Sequence, residues 1–230
     1  MNTSKTLGAY YQVYNNKKAT SFVLERFRKY YPDSPIMMIS DGGEDFSDLA
    51  SRYNTDFVHL HNIFGKNDDT YYDSSRMIEG WRRHKLAVEN ANTDYIMILE
   101  DDVLVQDKVE FDDFSFKGAT INPLPNIAIN IIRENEGWVS HGRYGACGGS
   151  VYSSSDFLEV FSSALSFTEN HHDDLLQHPD FRGIGAIDLN LVFHFNRMGK
   201  PYENAEWLAQ KRLHANWENF PIVHQYKEHY

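Results

Sequence analysis

Between Thr93 and Val105 the chain reads T-D-Y-I-M-I-L-E-D-D-V-L-V, an apolar run that ends in three adjacent acids. Tyr95 to Leu99 are apolar without alternation and rich in β-formers, which predicts a strand buried on both faces. Such a strand needs helices above and below it. The chain is therefore expected to be an α/β protein whose ligand crevice lies beyond the carboxyl end of this strand. Glu100, Asp101 and Asp102 repel one another at that point, and a hard divalent cation carrying a substrate phosphate would use such oxygens. The plain alternative is an acidic turn closing a core strand, since loops favour Asp for turn geometry alone.

The 230 residues suffice for one substantial core. A net charge of -11 argues against a nucleic-acid partner, because holding a polyanion requires a basic face and the one short basic cluster runs from Arg82 to Lys85. With 41% hydrophobic residues the chain is not a disordered one. Cys147 is the only cysteine, which rules out an intrachain disulfide and reads as a small core residue. No run approaches the ~18 apolar residues of a membrane span, and the N-terminus lacks the apolar stretch of a signal peptide. The expectation is a soluble, intracellular, cytoplasmic protein with no membrane span, and nothing in the sequence bears on its oligomeric state.

In chain order, Leu7 to Tyr14 reads as a first strand, with Asn15-Asn16 as turn and helix cap. Ala19, Val23, Phe27 and Tyr30 recur at helical spacing until Pro32, and Ile36 to Ile39 form a second strand that ends at Asp41-Gly42-Gly43. This is a right-handed βαβ unit. A helix over Glu44 to Tyr53 and a strand over Phe57 to Leu60 follow. His61 to Ser75 has no periodicity and reads as a lid or binding loop, or as a polar excursion. A helix from Ser74 carries Met77, Trp81, Val88 and Ala91 on one stripe, with His84 as a satisfied, half-buried residue rather than a ligand. Arg76 and Arg83 share a face of it that would meet a diphosphate or simply water.

Gln106 to Asn126 reads as a poorly patterned connection, and Ile127 to Ile132 as a return to the sheet. Tyr144 to Tyr152 reads as one strand containing Gly148-Gly149, followed by a helix from Ser154 to Leu165. The run His171-His172-Asp173-Asp174 with His178 is taken as solvated loop in preference to a metal cluster. Gly183 to Met198 is a helix burying Ile184, Ile187, Leu191 and Phe195, with Asp188 in its first turn, where the helix dipole alone favours an acid. Pro221 to Tyr226 is a short apolar segment that contains His224.

The strand leading into Glu100-Asp101-Asp102 resembles the DxD-type motif of the GT-A nucleotide-sugar glycosyltransferases, in the variant whose first acid is Glu. The stretch His84-Lys85-Leu86-Ala87 through Ala91-Asn92-Thr93-Asp94-Tyr95 is similar to the helix that leads into the motif strand in family-2-like members, with Lys85 and Ala87 where many carry Asn and Gly. The resemblance implies a single GT-A domain, an open, mostly parallel sheet with helices on both faces. About 1–126 would bind the nucleotide sugar and about 127–230 the acceptor. It implies Mn²⁺ or Mg²⁺ held by Asp102 and His224, with Glu100 reaching the ribose or the metal's water and Asp101 orienting the site. Gln12 and Tyr14 would flank the base, Asp41 would meet base or ribose, and Arg76 and Lys85 would lie on the nucleotide side. Gly148 and Gly149 would border donor sugar and acceptor. Ala186-Ile187-Asp188 stands where the family has xED, with Ile for the Glu, which makes Asp188 the catalytic base. The implied activity is a metal-dependent, inverting hexosyl or deoxyhexosyl transfer from a nucleotide diphosphate sugar, UDP first, to a hydroxyl of a glycan or glycoprotein. Short members of this type occur among enzymes that decorate viral capsids or microbial surface glycans. Two alternatives stay open: a retaining transferase on the same fold, and a non-catalytic nucleotide-sugar or glycan-binding module.

Overall fold

The first βαβ unit consists of β1 (Leu7–Val13), α1 (Lys17–Tyr30) and β2 (Ile36–Asp41). The computed structural model describes residues 4–60, 74–119, 122–123, 143–144, 148–170 and 186–229, and the side chains of 41, 74–77, 122–123, 143–144 and 186–190 lie outside that set. The Asn16 side-chain oxygen accepts the Ala19 N–H at 3.0 Å and so satisfies one of the donors orphaned at the start of α1. At the other end, the Arg28 guanidinium donates to the carbonyls of Ser34, Tyr53 and Asn54, tying α1 to the start of β2 and to the end of α2 (Ser47–Tyr53). The α2 helix begins at Ser47 and not at Glu44, and the Glu44 N–H donates to the Tyr14 carbonyl at 2.7 Å. Gly43 permits this contact, since a Cβ there would lie 1.7 Å from the Tyr14 oxygen.

The chain continues through β3 (Asp56–Leu60), α3 (Ser74–Ala91), β4 (Tyr95–Leu99) and β5 (Leu104–Val105). After these come β6 (Phe116–Gly118), β7 (Asn122–Pro123), β8 (Arg143–Tyr144), β9 (Val151–Ser153) and α4 (Ser154–Asn170). The last elements are α5 (Ala186–Arg197), β10 (Tyr202–Asn204), β11 (Leu208–Gln210), a 3₁₀ turn (Trp217–Asn219) and β12 (Ile222–His224). The main sheet has the order β10-β6-β9-β4-β1-β2-β3. Its strands are parallel except β9, which runs antiparallel to β4 and to β6.

Every residue of β4 is buried, as a strand covered on both faces requires. On one face Ala9, Tyr11, Val13, Met97 and Leu99 pack with Val23, Leu24 and Phe27 of α1. On the other, Tyr10, Ile96 and Ile98 pack with Trp81 and Val88 of α3, Phe157 and Val160 of α4, and Leu191 and Phe195 of α5. At about 1.5–3 kcal/mol for each large apolar side chain withdrawn from water, these two layers supply the main stabilising term. The result is one open, mostly parallel α/β domain with helices on both faces.

Two elements differ from the sequence reading. The stretch read as a mere connection contains β6, which enters the sheet between β9 and β10. Only three residues long, with Lys117 at its centre, β6 is too short to show a period; that ammonium is held by Asp112 at 3.5 Å and Glu206 at 3.3 Å. The strand read over Tyr144 to Tyr152 is divided: β8 pairs with β7 in a separate ribbon, and a turn at Gly148-Gly149 precedes β9. Gly149 has φ +88°, a left-handed value that cannot continue a strand and that favours glycine. Ile127 to Ile132, the loop residues 61–73, the run from His171 to His178 and Cys147 lie outside the described residues. Among the described residues no helix is long and apolar enough to cross a membrane.

A small second sheet, β11-β12-β5, decides what meets the acids. Immediately after the acidic turn, β5 pairs antiparallel with β12, Ile222 opposite Val105 and Val223 opposite Leu104. Extending that register by one residue carries His224 back past Val103 to the acids.

Candidate functional site

Beyond Leu99 the chain turns at once, the Val103 N–H donating to the Glu100 carbonyl at 3.1 Å. The turn separates the middle acid from its neighbours. Asp101 accepts hydrogen bonds from the Tyr11 hydroxyl at 2.7 Å and the Thr20 hydroxyl at 3.1 Å, fastening the acidic turn to β1 and to α1. Burial raises its pKa above the ordinary carboxylate value, against the lowering effect of those two donors.

Glu100 and Asp102 converge instead on His224. The Glu100 Oε1 accepts the Gly148 N–H at 2.7 Å, and its Oε2 lies 3.3 Å from His224 Nε2. Asp102 Oδ1 lies 3.3 Å from the same nitrogen, and Asp102 Oδ2 3.6 Å from Lys227 Nζ. Burial works to raise the Asp102 pKa, but the hydrogen bond and charge of His224, joined by Lys227, outweigh it and hold the carboxyl below its usual value. One donor atom from each of Glu100, Asp102 and His224 lies within 4.8 Å of the other two. Two carboxylates and an imidazole suit Mn²⁺, and the hard oxygens suit Mg²⁺. These residues therefore fit the cation that the sequence implies, with Glu100 joining the two expected ligands.

Gly148 is part of the same construction. A Cβ at this position would meet Val103 Cγ2 at 2.4 Å, Glu100 Cβ at 3.0 Å and His224 Cδ2 at 3.2 Å, so only glycine lets its N–H reach Glu100 without displacing the cluster. Gly149 is equally confined, by Leu208 Cδ1 at 2.7 Å and Ile222 Cγ2 at 2.8 Å. The C-terminal residues clasp the turn from outside: the Tyr226 N–H donates to the Asp102 carbonyl at 2.9 Å, and His229 Nε2 lies 2.7 Å from the Asp101 carbonyl.

Gln12, Tyr14 and Asp41 lie at the carboxyl ends of β1 and β2, the edge at which β4 delivers Glu100. Tyr11 pairs with Leu99, which sets Gln12 level with Glu100. The Gln12 side-chain amide oxygen accepts the Tyr10 hydroxyl at 3.0 Å, and Asp41 pairs with Leu60 through the backbone. Lys85 is placed differently: it pairs with Glu89 one turn on and lies over the Phe161 ring at 5.5 Å, and neither contact reaches the cluster. Arg76 is the third residue of α3 and Asp188 the third of α5, and both side chains lie outside the described set. His84, read as half-buried, is fully buried in the core; its Nδ1 is 2.8 Å from the Tyr152 hydroxyl, and burial drives its pKa down to about 3. Sequence reasoning missed Lys227 and the Gly148 N–H. A lysine in a polar tail carries no pattern, and a backbone donor carries no residue type.

The mostly parallel sheet and the helices on both its faces are those of the GT-A fold. Among solved structures similar to this chain is the galactosyltransferase LgtC in complex with donor and acceptor sugar analogs. The two share 13% sequence identity and a TM-score of 0.53 over 96% of this chain and 87% of that one, a likeness of fold. The sequence itself matches no family model and no curated protein.

Proposed function

We propose that this chain is a metal-dependent glycosyltransferase that moves a hexose or deoxyhexose from a nucleotide diphosphate sugar, UDP first among the donors, to a hydroxyl of a glycan or glycoprotein. The observation that carries this reading is the convergence of Glu100, Asp102 and His224, which are separated by up to 124 positions in sequence, at the mouth of a GT-A sheet. A galactosyltransferase of the same fold, solved with donor and acceptor sugar analogs, supports the substrate class.

In this reading Glu100, Asp102 and His224 hold Mn²⁺ or Mg²⁺. When bound, the cation offsets the charge that develops on the departing diphosphate. Gly148 orients Glu100 through its N–H, while Gln12, Tyr14 and Asp41 at the ends of β1 and β2 border the nucleoside, and Arg76 contributes charge to nucleotide binding. The residues from about 127 onward receive the acceptor, beside Gly148-Gly149. Asp188 is the base: it takes the acceptor hydroxyl proton as that oxygen bonds to the anomeric carbon, and the bond from that carbon to the diphosphate oxygen breaks with its electron pair leaving on the diphosphate. The reaction inverts the anomeric centre.

The test is a thermal-shift panel of UDP-, GDP- and CDP-sugars with and without Mn²⁺. A ligand at a hundred times its Kd adds about 2.7 kcal/mol to the folded state, or roughly 5–10 °C for a domain of this size. The shift is expected to be largest with nucleotide and cation together and smaller with the cation alone, and is expected to vanish in Asp102→Asn and His224→Ala. No cation-dependent shift with any donor would refute the reading. Asp188→Asn is expected to abolish turnover while keeping the shift, and the anomeric configuration of the product checks inversion.

A further inference from the structure

The acids at the mouth of β4 already face a positive charge. Lys227 brings its ammonium to 3.6 Å from Asp102 Oδ2, while His224 occupies the other oxygen. The two partners differ in kind: the Asp102 side chain is 12% exposed and that of Lys227 62% exposed. The carboxylate is thus the fixed member, and the lysine reaches it from solvent on a long stem.

The backbone around Lys227 is pinned. On one side Gln225 takes a left-handed φ of +62° and the Tyr226 N–H holds the Asp102 carbonyl. On the other, the His229 ring stacks on Phe22 at 4.2 Å and near Tyr226 at 5.7 Å, with its Nε2 on the Asp101 carbonyl. Rotation of its own side chain is therefore the motion left to Lys227. A dication bound by Asp102 and the Lys227 ammonium repel each other across that one carboxylate, so the arrival of the cation displaces the lysine. A diphosphate arriving with the cation offers the displaced ammonium a new anionic partner.

We propose that Lys227 is an exchangeable counter-ion of the cation site, paired with Asp102 in the absence of a cation and transferred to a phosphate oxygen when cation and diphosphate bind together. The inference rests on the cation site proposed above. Its consequence is coupling: the cation alone competes with Lys227, whereas the cation and diphosphate together recruit it, so each ligand raises the affinity for the other. Lys227 is a positioning residue for the pair of ligands and takes no part in bond making.

The experiment compares the full-length chain with Lys227→Met, Lys227→Arg and Lys29→Met. Lys29, in the last turn of α1 over the Tyr30 ring, controls for net charge. Calorimetric titrations use MnCl₂ alone and, separately, preformed Mn²⁺-pyrophosphate, a probe that carries the diphosphate without presuming a base. Lys227→Met is expected to bind Mn²⁺ alone roughly threefold or more tighter and Mn²⁺-pyrophosphate about tenfold weaker, with Lys227→Arg and Lys29→Met close to the unmutated chain. Changes of the same sign for the two probes, or no change in either, would overturn the proposal while leaving the cation site in place. If the unmutated chain takes up neither probe, the cation site itself falls, and the counter-ion role with it.

Discussion

His194 sits at the centre of an aromatic box and carries a measurable cost. It is fully buried on α5, with ring centroids of Phe193 at 4.8 Å, Phe167 at 5.1 Å and Trp81 at 5.6 Å, and neither ring nitrogen has a hydrogen-bond partner among the described residues. Burial first, and the Arg197 charge second, push its pKa from 6.5 to about 3. The folded chain therefore keeps His194 neutral while the unfolded chain protonates it as the pH drops below 6.5. Stability from this group is complete above that value and is lost as the pH falls toward 3. At pH 5.5 the loss is about 1.4 kcal/mol, and since 5.5 is well above the folded pKa, this figure depends on the unfolded value alone. Replacing the ring with an apolar side chain of similar bulk removes both the proton linkage and the desolvated nitrogens, which cost about 1–3 kcal/mol. His194→Leu is thus expected to be more stable than the unmutated chain by about 1–2 kcal/mol at pH 7.5, and to lose about 1.4 kcal/mol less on going to pH 5.5. Urea unfolding at the two pH values, with the m-value checked for constancy, measures both quantities. A less stable variant at pH 7.5, or an unchanged pH dependence, would refute the reasoning.

Two further substitutions probe the acidic turn. Gly148→Ala forces a methyl to within 2.4 Å of Val103 and against Glu100 and His224; it is expected to cost about 1–3 kcal/mol by thermal unfolding and to weaken Mn²⁺ binding tenfold or more, and an unchanged melting temperature and Mn²⁺ affinity would show that the close approach does not matter. Asp101→Ala removes the carboxylate that accepts from the Tyr11 hydroxyl and one of the two acceptors of the Thr20 hydroxyl, whose other is the Asn16 carbonyl at 3.0 Å, for an expected loss of about 1–3 kcal/mol in chemical denaturation; a loss below ~0.5 kcal/mol would mean that Asp101 does not brace the turn.

Some of this was legible one residue at a time. Tyr95 to Leu99 announce a strand with two covered faces because their side chains are all apolar, and the structure buries every one of them. Asn16 before the periodic run of α1, and Pro32 beyond it, mark that helix because capping and ring sterics act over a few neighbouring positions. β6 left no such trace: Lys117 at its centre is buried through partners, Asp112 and Glu206, that only the fold brings near.

The sequence by itself determined the layered α/β class and the position of the acids, because apolar periodicity and strand length are local properties of the chain. It could not apportion the three acids. Whether a carboxylate turns toward Tyr11 and Thr20, as Asp101 does, or toward His224, as Glu100 and Asp102 do, depends on which side of the turn each side chain leaves. That choice was made by tertiary structure, through the antiparallel register of β5 and β12 and a glycine at 148 that lets the backbone close in. Contacts between stretches more than a hundred residues apart are fixed by strand pairing and steric fit, and neither is written in the identity of any single residue.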